Sequence, residues 1–244
     1  MEEIKIQKFF TDSGIMSRRA AEEEIKKGNV KVNGETAVIG MRVDPEKDVI
    51  TFRGKQIKTR STENVYIMLN KPRGFVTTMS DEQNRRSVAD LVLEVGTRVY
   101  PVGRLDMDSD GLLLLTNDGE LTNKLTHPRH EIPKIYLVTI AGKVSEEQLT
   151  KLRAPMVIDG YEILPVKTEV VSLPSAKIGQ TVLKMTLYEG RNRQIRKMCD
   201  AASLKIKRLC RTAIGDLSLG ELPVGKWRYL TEDEINYLKN ERNS

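Results

Sequence analysis

The feature that most limits the fold of this 244-residue chain is an acidic turn followed at once by four leucines, in GRLDMDSDGLLLLTNDGEL at residues 103–121. A short apolar run between turn residues is typical of a buried strand. Similar runs are VYIMLNKP, RVYPVG, KIYLVTIAG, YEILPVKTEVV, TVLKMTLYEG and LKIKRLCRTAIG. Helical patterns between and after them are SVADLVL, GELTNKLTH, SEEQLTKLRA, NRQIRKMCDAA and TEDEINYL. This order predicts an α+β domain with a mixed, largely antiparallel β-sheet flanked by helices.

The first 60 residues follow a different pattern, which predicts two helices and then a small sheet. IQKFFTDSG is a short amphipathic helix that ends at Gly14. SRRAAEEEIKKG is a second helix, in which Ser17 caps the start and Gly28 ends the last turn. VKVNGETAV places Asn33 and Gly34 between extended flanks, which is a strong signal for a hairpin turn.

A polar segment separates these two patterns. Residues 58–64, KTRSTEN, are charged or polar and show no periodicity, so they are interpreted as a linker. We therefore predict a small domain at residues 1–60 and a larger domain at residues 61–244.

Composition favours a soluble globular chain, with 39% hydrophobic and 30% charged residues. No apolar run approaches the roughly 20 residues that a membrane span needs, and MEEIKIQKFF is acidic before it is apolar, unlike a secretory signal. Cys199 and Cys210 are the two cysteines of the chain and are interpreted as reduced, structural thiols. We therefore expect a cytoplasmic protein.

Motifs for common cofactors are missing from the sequence. It has no glycine-rich phosphate loop, no dinucleotide fingerprint and no G-x-S-x-G turn. His127 and His130 have no further metal ligand nearby, so a role in a surface turn is favoured over a zinc site. An enzyme built on this chain is expected to work without nucleotide, metal or redox cofactor.

The net charge is +6, and eight of the 40 basic residues lie in one stretch, residues 191–211. Its basic residues are Arg191, Arg193, Arg196, Lys197, Lys205, Lys207, Arg208 and Arg211. Asp200 is the one acidic residue within it. Such a concentration of charge favours a polyanionic partner over an ordinary solvated helix face.

The aspartate turn allows three interpretations. Asp106, Asp108, Asp110 and Gly111 match four positions of a calcium-binding EF-hand loop, but Asn117 stands where the bidentate glutamate is required. The flanks are predicted strands and not helices, which also disfavours calcium. A carboxylate that works in catalysis and an aspartate that merely caps a turn both remain open on spacing alone.

Asp106 is the best candidate for a working carboxylate. It lies in a turn beside a buried strand, with Arg104 two residues before it. Functional residues concentrate in loops held by rigid elements. A carboxylate beside a cation stays ionised and can act as a nucleophile or a base.

The N-terminal pattern resembles the alpha-L RNA-binding domain, which is shared with small-subunit ribosomal protein S4. The resemblance covers roughly residues 3–50 and includes the basic start of the second helix and the VKVNG hairpin. It implies a rigid surface of Arg and Lys side chains that follows a phosphate backbone, since RNA helices are recognised mainly by shape.

The larger region resembles the RsuA-type rRNA pseudouridine synthases, which carry an N-terminal alpha-L domain. The motifs that carry this resemblance are NKPRGFVTT (70–78), GRLDMDSDGLLLLTNDGEL (103–121), KIY (134–136) and EGRNRQIRKM (189–198). The resemblance implies isomerisation of uridine to pseudouridine in ribosomal RNA. RNRQIRKMC and LPVGKWRYLT favour the large-subunit enzymes within that family.

The resemblance also implies a role for individual residues. Asp106 corresponds to the catalytic aspartate, Tyr136 to an aromatic residue that packs against the flipped base, and Arg196 to the partner of the aspartate. Arg104 would hold open the place of the displaced nucleotide. Asp108 and Asp110 are expected to shape the turn.

Further residues are expected to contact RNA or to shape the site. Asn70, Lys71 and Pro72 are expected to shape the site more than to react. The residues that we predict to bind RNA are Arg104, Arg18, Arg19, Lys31, Lys71 and Arg193.

Two other function classes compete with this prediction. The first is a non-catalytic rRNA-binding or ribosome-assembly factor on the same fold. The second is a glycosidase with paired carboxylates, which the low aromatic content of 5% disfavours. In the favoured interpretation, the chain is a monomer whose partner is ribosomal RNA, without a membrane or a small-molecule cofactor.

Overall fold

The computed structural model describes residues 3–57, 63–173 and 177–240. The chain divides into two compact units, Met1–Asn64 and Val65–Ser244. Most of the predicted linker, and the predicted boundary at residues 60 and 61, lie outside the described residues.

The N-terminal unit contains two helices and a small antiparallel sheet. Its elements are β1 (Ile4–Lys5), α1 (Ile6–Asp12), α2 (Arg18–Lys26), β2 (Val30–Val32), β3 (Glu35–Thr36), β4 (Arg42–Val43), β5 (Ile50–Phe52) and β6 (Lys55–Ile57). Four of the described strands pair in the order β3-β2-β5-β6, and β1 pairs with β4. This is the arrangement of two helices and a sheet predicted from the sequence.

Local sequence signals explain the boundaries of these elements. The Ser17 side chain accepts a hydrogen bond from the backbone N–H of Ala20 at 3.2 Å and caps α2. Asn33 and Gly34 join β2 to β3 with φ values of +51° and +89°. Such a pair of positive φ values matches the twist that a two-residue hairpin turn requires. Phe9 and Phe10 of α1 are buried in the core of the unit.

The second unit combines one large sheet with helices. Its helices and strands are β7 (Tyr66–Lys71), β8 (Tyr100–Pro101), β9 (Asp110–Thr116), α3 (Gly119–Thr126), β10 (Lys134–Ala141), α4 (Glu146–Arg153), β11 (Val157–Ile158), β12 (Tyr161–Glu162), β13 (Lys167–Val171), β14 (Gln180–Leu187), α5 (Gln194–Ala201), β15 (Ile206–Ile214), β16 (Leu217–Ser218), β17 (Trp227–Tyr229) and α6 (Glu232–Asn240). Short 3-10 helices occupy Val88–Leu91, Leu93–Val95 and Pro128–His130.

The main sheet has the strand order β13-β14-β10-β15-β9-β7-β17, with β16 beside β15 and β8 beside β9. Within the described part of the chain, its pairings are antiparallel except that of β9 with β15. The sheet is therefore mixed and largely antiparallel, which confirms the predicted fold class. The parallel pair aligns Asp110 with Cys210 and Gly111 with Arg211.

The four leucines of β9 are buried because both faces of this strand are covered. Leu112 and Leu114 pack in a core that includes residues of α3 and α6. Leu113 and Leu115 point to the opposite face, into a core that includes the two 3-10 helices between β7 and β8. Successive side chains of a strand alternate between faces, so a strand in the middle of a covered sheet needs apolar residues at every position.

Two local predictions differ from the structure. SVADLVL forms short 3-10 turns instead of an α-helix, and the left-handed Gly96 (φ +69°) caps the second of them. YEILPVKTEVV is divided between β12 and β13, with Pro165 in the gap, because proline cannot donate a hydrogen bond to a sheet ladder. None of the helices in the described ranges combines the length and the apolar character that crossing a bilayer demands.

Candidate active site

A cleft of about 220 Å³ opens on the second unit. Strands β10, β14 and β15 form one side of it, the loop before β9 forms another, and the start of α5 closes a third. The residues that line it are Val102, Gly103, Arg104, Leu105, Asp106, Ser109, Leu125, Thr126, Lys134, Tyr136, Leu187, Tyr188, Glu189, Gly190, Arg191, Arg193, Gln194, Ile195, Leu209, Arg211 and Ile214. Asp106, Tyr136, Arg104 and Arg193, all predicted from the sequence, thus share one cleft.

The acidic loop, residues 104–110, is held by the segment that follows β7. The backbone N–H of Gly74 donates to the carbonyl of Met107 at 2.7 Å. The Thr77 hydroxyl donates to the carbonyl of Leu105 at 2.6 Å. These bonds join NKPRGFVTT to the loop that carries Asp106, so the first motif supports the loop from behind.

Lys71 is the centre of this support. Its side chain is fully buried, and its ammonium donates to the backbone carbonyls of Asp106 at 3.0 Å, Ser109 at 2.9 Å and Pro72 at 3.2 Å. Burial lowers the pKa of Lys71 to about 8, while the carboxylates of Asp110, Asp106 and Asp108 act in the opposite direction.

This position differs from the RNA-contacting role predicted for Lys71. An ammonium at 0% exposure, with three carbonyl partners, cannot reach a phosphate. Lys71 instead shapes the site, which is the other role predicted for it together with Asn70 and Pro72.

Two arginines of α5 and its start face the acidic loop. Arg196 Nε lies 3.7 Å from Asp106 Oδ2, whereas Arg196 Nη2 lies 2.9 Å from Asp108 Oδ1. Arg193 Nη1 lies 3.5 Å from Asp106 Oδ2 and 3.4 Å from Asp108 Oδ1. The predicted pair of Asp106 and Arg196 is therefore part of a group of four charges, in which Asp108 is the closer partner of Arg196.

This arrangement depends on an unusual backbone at the start of α5. Arg193 is the N-cap residue and adopts a left-handed conformation, with φ +52° and ψ +32°. A non-glycine residue in that region is uncommon and marks a functional constraint more often than chance. Here it lets the Arg193 and Arg196 side chains both face the acidic loop.

The third aspartate turns away from this group. Asp110 is 3% exposed, and its Oδ2 accepts from Arg208 Nε at 2.9 Å. Asp106 and Asp108 thus face α5, while Asp110 faces β15. Asp106 and Asp108 share the cations Arg193 and Arg196, whereas Asp110 pairs with Arg208.

Gly111 follows directly and has φ +105°. A Cβ at this position would lie 2.2 Å from the Arg211 carbonyl oxygen and 2.8 Å from the Arg211 nitrogen. The glycine therefore permits the close parallel pairing of β9 with β15, which brings the acidic loop against the cleft.

Tyr136 and Arg211 lie opposite each other on β10 and β15. Directly opposed residues of two antiparallel strands have their side chains on the same face. Tyr136 is partly buried and Arg211 is buried, and both line the cleft. From the sequence, Arg211 was identified only as part of a basic stretch. Its position, two residues after the buried Leu209 in a strand, was the signal that it points inward.

The cleft rim carries aromatic and basic groups. Arg104 lines the cleft and is exposed. The Arg191 guanidinium lies over the Tyr161 ring, 3.0 Å from its centroid, and its Nε lies 3.2 Å from Glu189 Oε2. Tyr188 is 40% exposed.

The predicted RNA-binding residues of the N-terminal unit lie on its surface. Arg18 and Arg19 are exposed in the first turn of α2, and Lys31 is exposed on β2 between the buried Val30 and Val32. A rigid helix and strand can present such cations to a phosphate backbone.

The cysteines and histidines take no part in the cleft. Burial raises the pKa of the Cys199 and Cys210 thiols to about 12, so neither is poised as a nucleophile. His127 and His130 stack edge to face, with ring centroids 6.0 Å apart. In the described residues, no cluster of three or more His, Cys, Asp or Glu side chains is arranged to hold a metal ion.

The geometry defines an enzyme-like cleft with one partly exposed carboxylate beside cations and an aromatic side chain. The Asp106 side chain is 35% exposed, so a ligand in the cleft could reach it. Basic groups at the rim suit a polyanionic substrate, and apolar residues of the strands suit a flat ring.

Comparison with known proteins agrees with this description. The family described as RNA pseudouridylate synthase matches residues 65–201, and the S4 domain matches residues 5–50. The ribosomal large subunit pseudouridine synthase B of Bacillus subtilis (strain 168) is 39% identical over 96% of this chain and 95% of its own length. The dual-specificity RNA pseudouridine synthase RluF of Escherichia coli (strain K12) is 41% identical over 95% of this chain and 77% of its own length.

A crystal structure of a pseudouridylate synthase superposes with a TM-score of 0.67 at 32% identity, covering 96% of this chain and 99% of that one. The chain thus belongs to the RNA pseudouridine synthases that carry an N-terminal S4 domain.

Proposed function

We propose that this chain converts a specific uridine of large-subunit ribosomal RNA to pseudouridine, with Asp106 as the catalytic group and without a cofactor. The observation that carries the proposal is the cleft itself. Asp106 and Tyr136 line it together, and Arg193 and Arg196 lie beside the carboxylate. The names of the Bacillus subtilis and Escherichia coli relatives support an RNA substrate. The name of the Bacillus subtilis relative also supports large-subunit ribosomal RNA as that substrate.

The reaction needs no oxidant and no external group. The N1–C1′ bond of uridine breaks, the base turns, and a C5–C1′ bond forms. The proton on C5 leaves, and N1 gains one, so the product is an isomer of the substrate. In our proposal, the Asp106 carboxylate attacks or stabilises the sugar while the glycosidic bond is broken.

The residues around Asp106 have separate roles in this proposal. Tyr136 packs against the flipped base and can assist removal of the C5 proton. Arg196 and Arg193 hold the carboxylate in place, and Asp108 orients both guanidiniums. Lys71 fixes the backbone of the loop through the Asp106 and Ser109 carbonyls.

The uridine must leave its helix or loop before Asp106 can reach the sugar. Flipping costs a few kcal/mol, and less at an unpaired base. Stacking on an aromatic side chain returns about 1–3 kcal/mol per base, and phosphate contacts by exposed cations add to this. Arg104 lines the cleft and is exposed, and in our proposal it helps to hold open the place of the displaced nucleotide.

The exchange Asp106→Asn tests the proposal. It should abolish release of tritium from C5-labelled uridine in ribosomal RNA, while RNA binding stays within about twofold, because the amide keeps the size but not the nucleophile. Asp216→Asn, at an exposed position outside the cleft, is the matched control and should keep full activity. Full tritium release by the Asp106→Asn variant would eliminate the assigned mechanism.

The alternative of a non-catalytic RNA-binding or ribosome-assembly factor makes a different prediction. Pseudouridine should then be identical in ribosomal RNA from cells with and without the protein, despite tight binding in vitro. In our proposal, that comparison reveals at least one position that depends on the protein. We further propose that the chain acts as a monomer, since one chain contains every group named above. We also propose that it is cytoplasmic, as expected from its sequence.

A further inference from the structure

A guanidinium without a full set of partners lies in the wall of the cleft. Arg211 is 5% exposed, and its Nε donates to the backbone carbonyl of Leu112 at 2.8 Å. Its Nη2 is buried and has no hydrogen-bond partner among the described residues. This bond fixes the base of the guanidinium and leaves one end of a rigid donor unused.

The unused nitrogen is costly to the fold. Burying a polar group without a hydrogen bond destabilises the folded state, and a charged group does so more strongly. The two carboxylates that line the cleft already have cations. Asp106 lies beside Arg193 and Arg196, and Glu189 pairs with Arg191. A buried donor without a partner in the wall of a cleft needs an acceptor, and a bound ligand can supply one.

The surroundings of Arg211 indicate the kind of acceptor. Tyr136 stands opposite Arg211 on the same face of the sheet. Leu187, Leu209 and Ile214 line the same cleft and are buried apolar residues. Such walls suit a flat, weakly polar ring and not a solvated phosphate, for which the exposed cations of the rim are better placed.

We propose that Arg211 is a base-positioning residue, which donates a hydrogen bond from Nη2 to a carbonyl oxygen of the uracil ring. This inference rests on the proposed function. It adds a residue that reads the identity of the base, in a cleft where Asp106 acts on the sugar.

The chemistry of arginine gives this contact a direction. A guanidinium has five N–H donors and no acceptor. Uracil presents carbonyl acceptors at positions 2 and 4, whereas cytosine carries an amino donor at position 4. A contact at O4 therefore distinguishes uracil from cytosine, because two donors would face each other in the wrong complex.

The experiment replaces one carbonyl oxygen at a time. Synthetic RNA fragments carry uridine, 2-thiouridine or 4-thiouridine at the position mapped as dependent on this protein, and single-turnover rates are measured with the full chain. Sulfur is a weak acceptor. One of the two thio-substrates should react at least tenfold more slowly than uridine with the wild-type protein. Equal rates for all three substrates overturn the inference.

A variant series separates the contact from the chemistry of the thio-substrates. In Arg211→Met the penalty for the sensitive position should fall to within about twofold, since the donor is gone. Arg211→Lys should restore part of it. Arg208→Met, on the same strand, should keep the wild-type penalty whatever its absolute rate. A penalty that is unchanged in Arg211→Met also overturns the inference.

The wild-type measurements stand even if Arg211→Met does not fold. They also separate the two proposals. A wild-type protein that forms no pseudouridine in any substrate defeats the proposed function, and with it this inference. A wild-type protein that is active on uridine and insensitive to both sulfur substitutions defeats the role of Arg211 alone.

Discussion

Lys71 shows how one buried residue controls the geometry of the loop. Its ammonium has three backbone acceptors, two of them in the acidic loop, and no contact with solvent. Removing the proton would leave an amine with too few donors for these carbonyls. The orientation of Asp106 therefore depends on the charge of a residue that never meets the substrate.

This dependence predicts an alkaline limit of activity. The rate of the chemical step should decline as pH rises through about 8, the pKa of Lys71 in the folded chain. Global unfolding is not the cause, and the sign of the linkage shows why. The folded pKa lies below the ordinary value of 10.5, so between these values the unfolded chain binds more protons. This group alone makes stability increase with pH in that window.

Single-turnover rates and urea unfolding, both measured from pH 6.5 to 10, check this prediction. The alkaline decline should be absent from the residual rate of Lys71→Met, which has no titrating group at that position. A wild-type decline that coincides with unfolding, or that persists unchanged in Lys71→Met, would contradict it.

At the scale of elements, local signals in the sequence were sufficient for the α-helices that form and for several strands, although they also predicted an α-helix at SVADLVL, which forms 3-10 turns. Ser145 and Gln148 form a capping box at the start of α4, and Thr231 and Glu234 form one at the start of α6. Caps and turns depend on neighbours in sequence, so one chain reveals them. The pairing of β9 with β15 joins residues about a hundred positions apart and has no local signal.

The candidate site, too, could be predicted from the sequence only in part. Asp106, Tyr136 and Arg196 could be named from motifs, but the position of Asp108 between Arg193 and Arg196 depends on the left-handed backbone at Arg193. The inward direction of Arg211 depends on strand register. Long-range geometry of this kind is fixed by packing, which a short motif does not contain.

The close approach of β9 and β15 can be tested at Gly111. Gly111→Ala should destabilise the chain by about 3 kcal/mol or more, because its Cβ would meet the Arg211 backbone at 2.2 Å. Gly142→Ala is the matched control, since Gly142 also has a positive φ, +87°, but no atom within 4 Å. It should cost only about 1–2 kcal/mol of backbone strain. Urea unfolding measures both, and equal losses would refute the steric explanation.

The contact between the acidic loop and α5 predicts an effect on turnover. Asp108→Asn removes the charge that lies 2.9 Å from Arg196, so the guanidinium loses its closest ionic partner. The rate of the chemical step should fall about 10–100-fold. RNA affinity should stay equal or increase, since a negative charge near the substrate is lost.

Asp159→Asn is the control for this change. Asp159 pairs with Lys197 on the same helix, but its side chain is 68% exposed. Exposed pairs contribute about 0–1 kcal/mol, so this variant should keep wild-type rates. Pseudouridine formation under single turnover and filter binding distinguish the two variants. Equal rates in Asp108→Asn and wild type would show that Asp108 only shapes the turn.

At the scale of the whole molecule, fewer cations of the basic stretch at residues 191–211 are free of acidic partners than the sequence alone suggests. Several of its cations meet acids from distant parts of the chain, as Arg208 does with Asp110 and Lys197 with Asp159. Others remain exposed, such as Lys205 and Lys207. The cations that remain for RNA are therefore fewer than the sequence suggests, and the N-terminal unit supplies some of them.

This distribution predicts that Arg18 and Arg19 govern much of the salt dependence of RNA binding. Each phosphate contact contributes about −0.7 to −0.9 to the slope of log K against log salt. In the full chain, replacing both residues by Gln should make the slope about 1–2 less negative and weaken binding most at low salt. The rate on saturating RNA should change less than twofold, because neither residue belongs to the cleft.

Lys47→Gln is the control. It removes an exposed cation that already has Asp44 as a partner at 3.1 Å, so it should leave the slope unchanged. Deleting residues 1–64 should flatten the slope further. If the double variant keeps the wild-type slope and affinity, the start of α2 does not hold RNA.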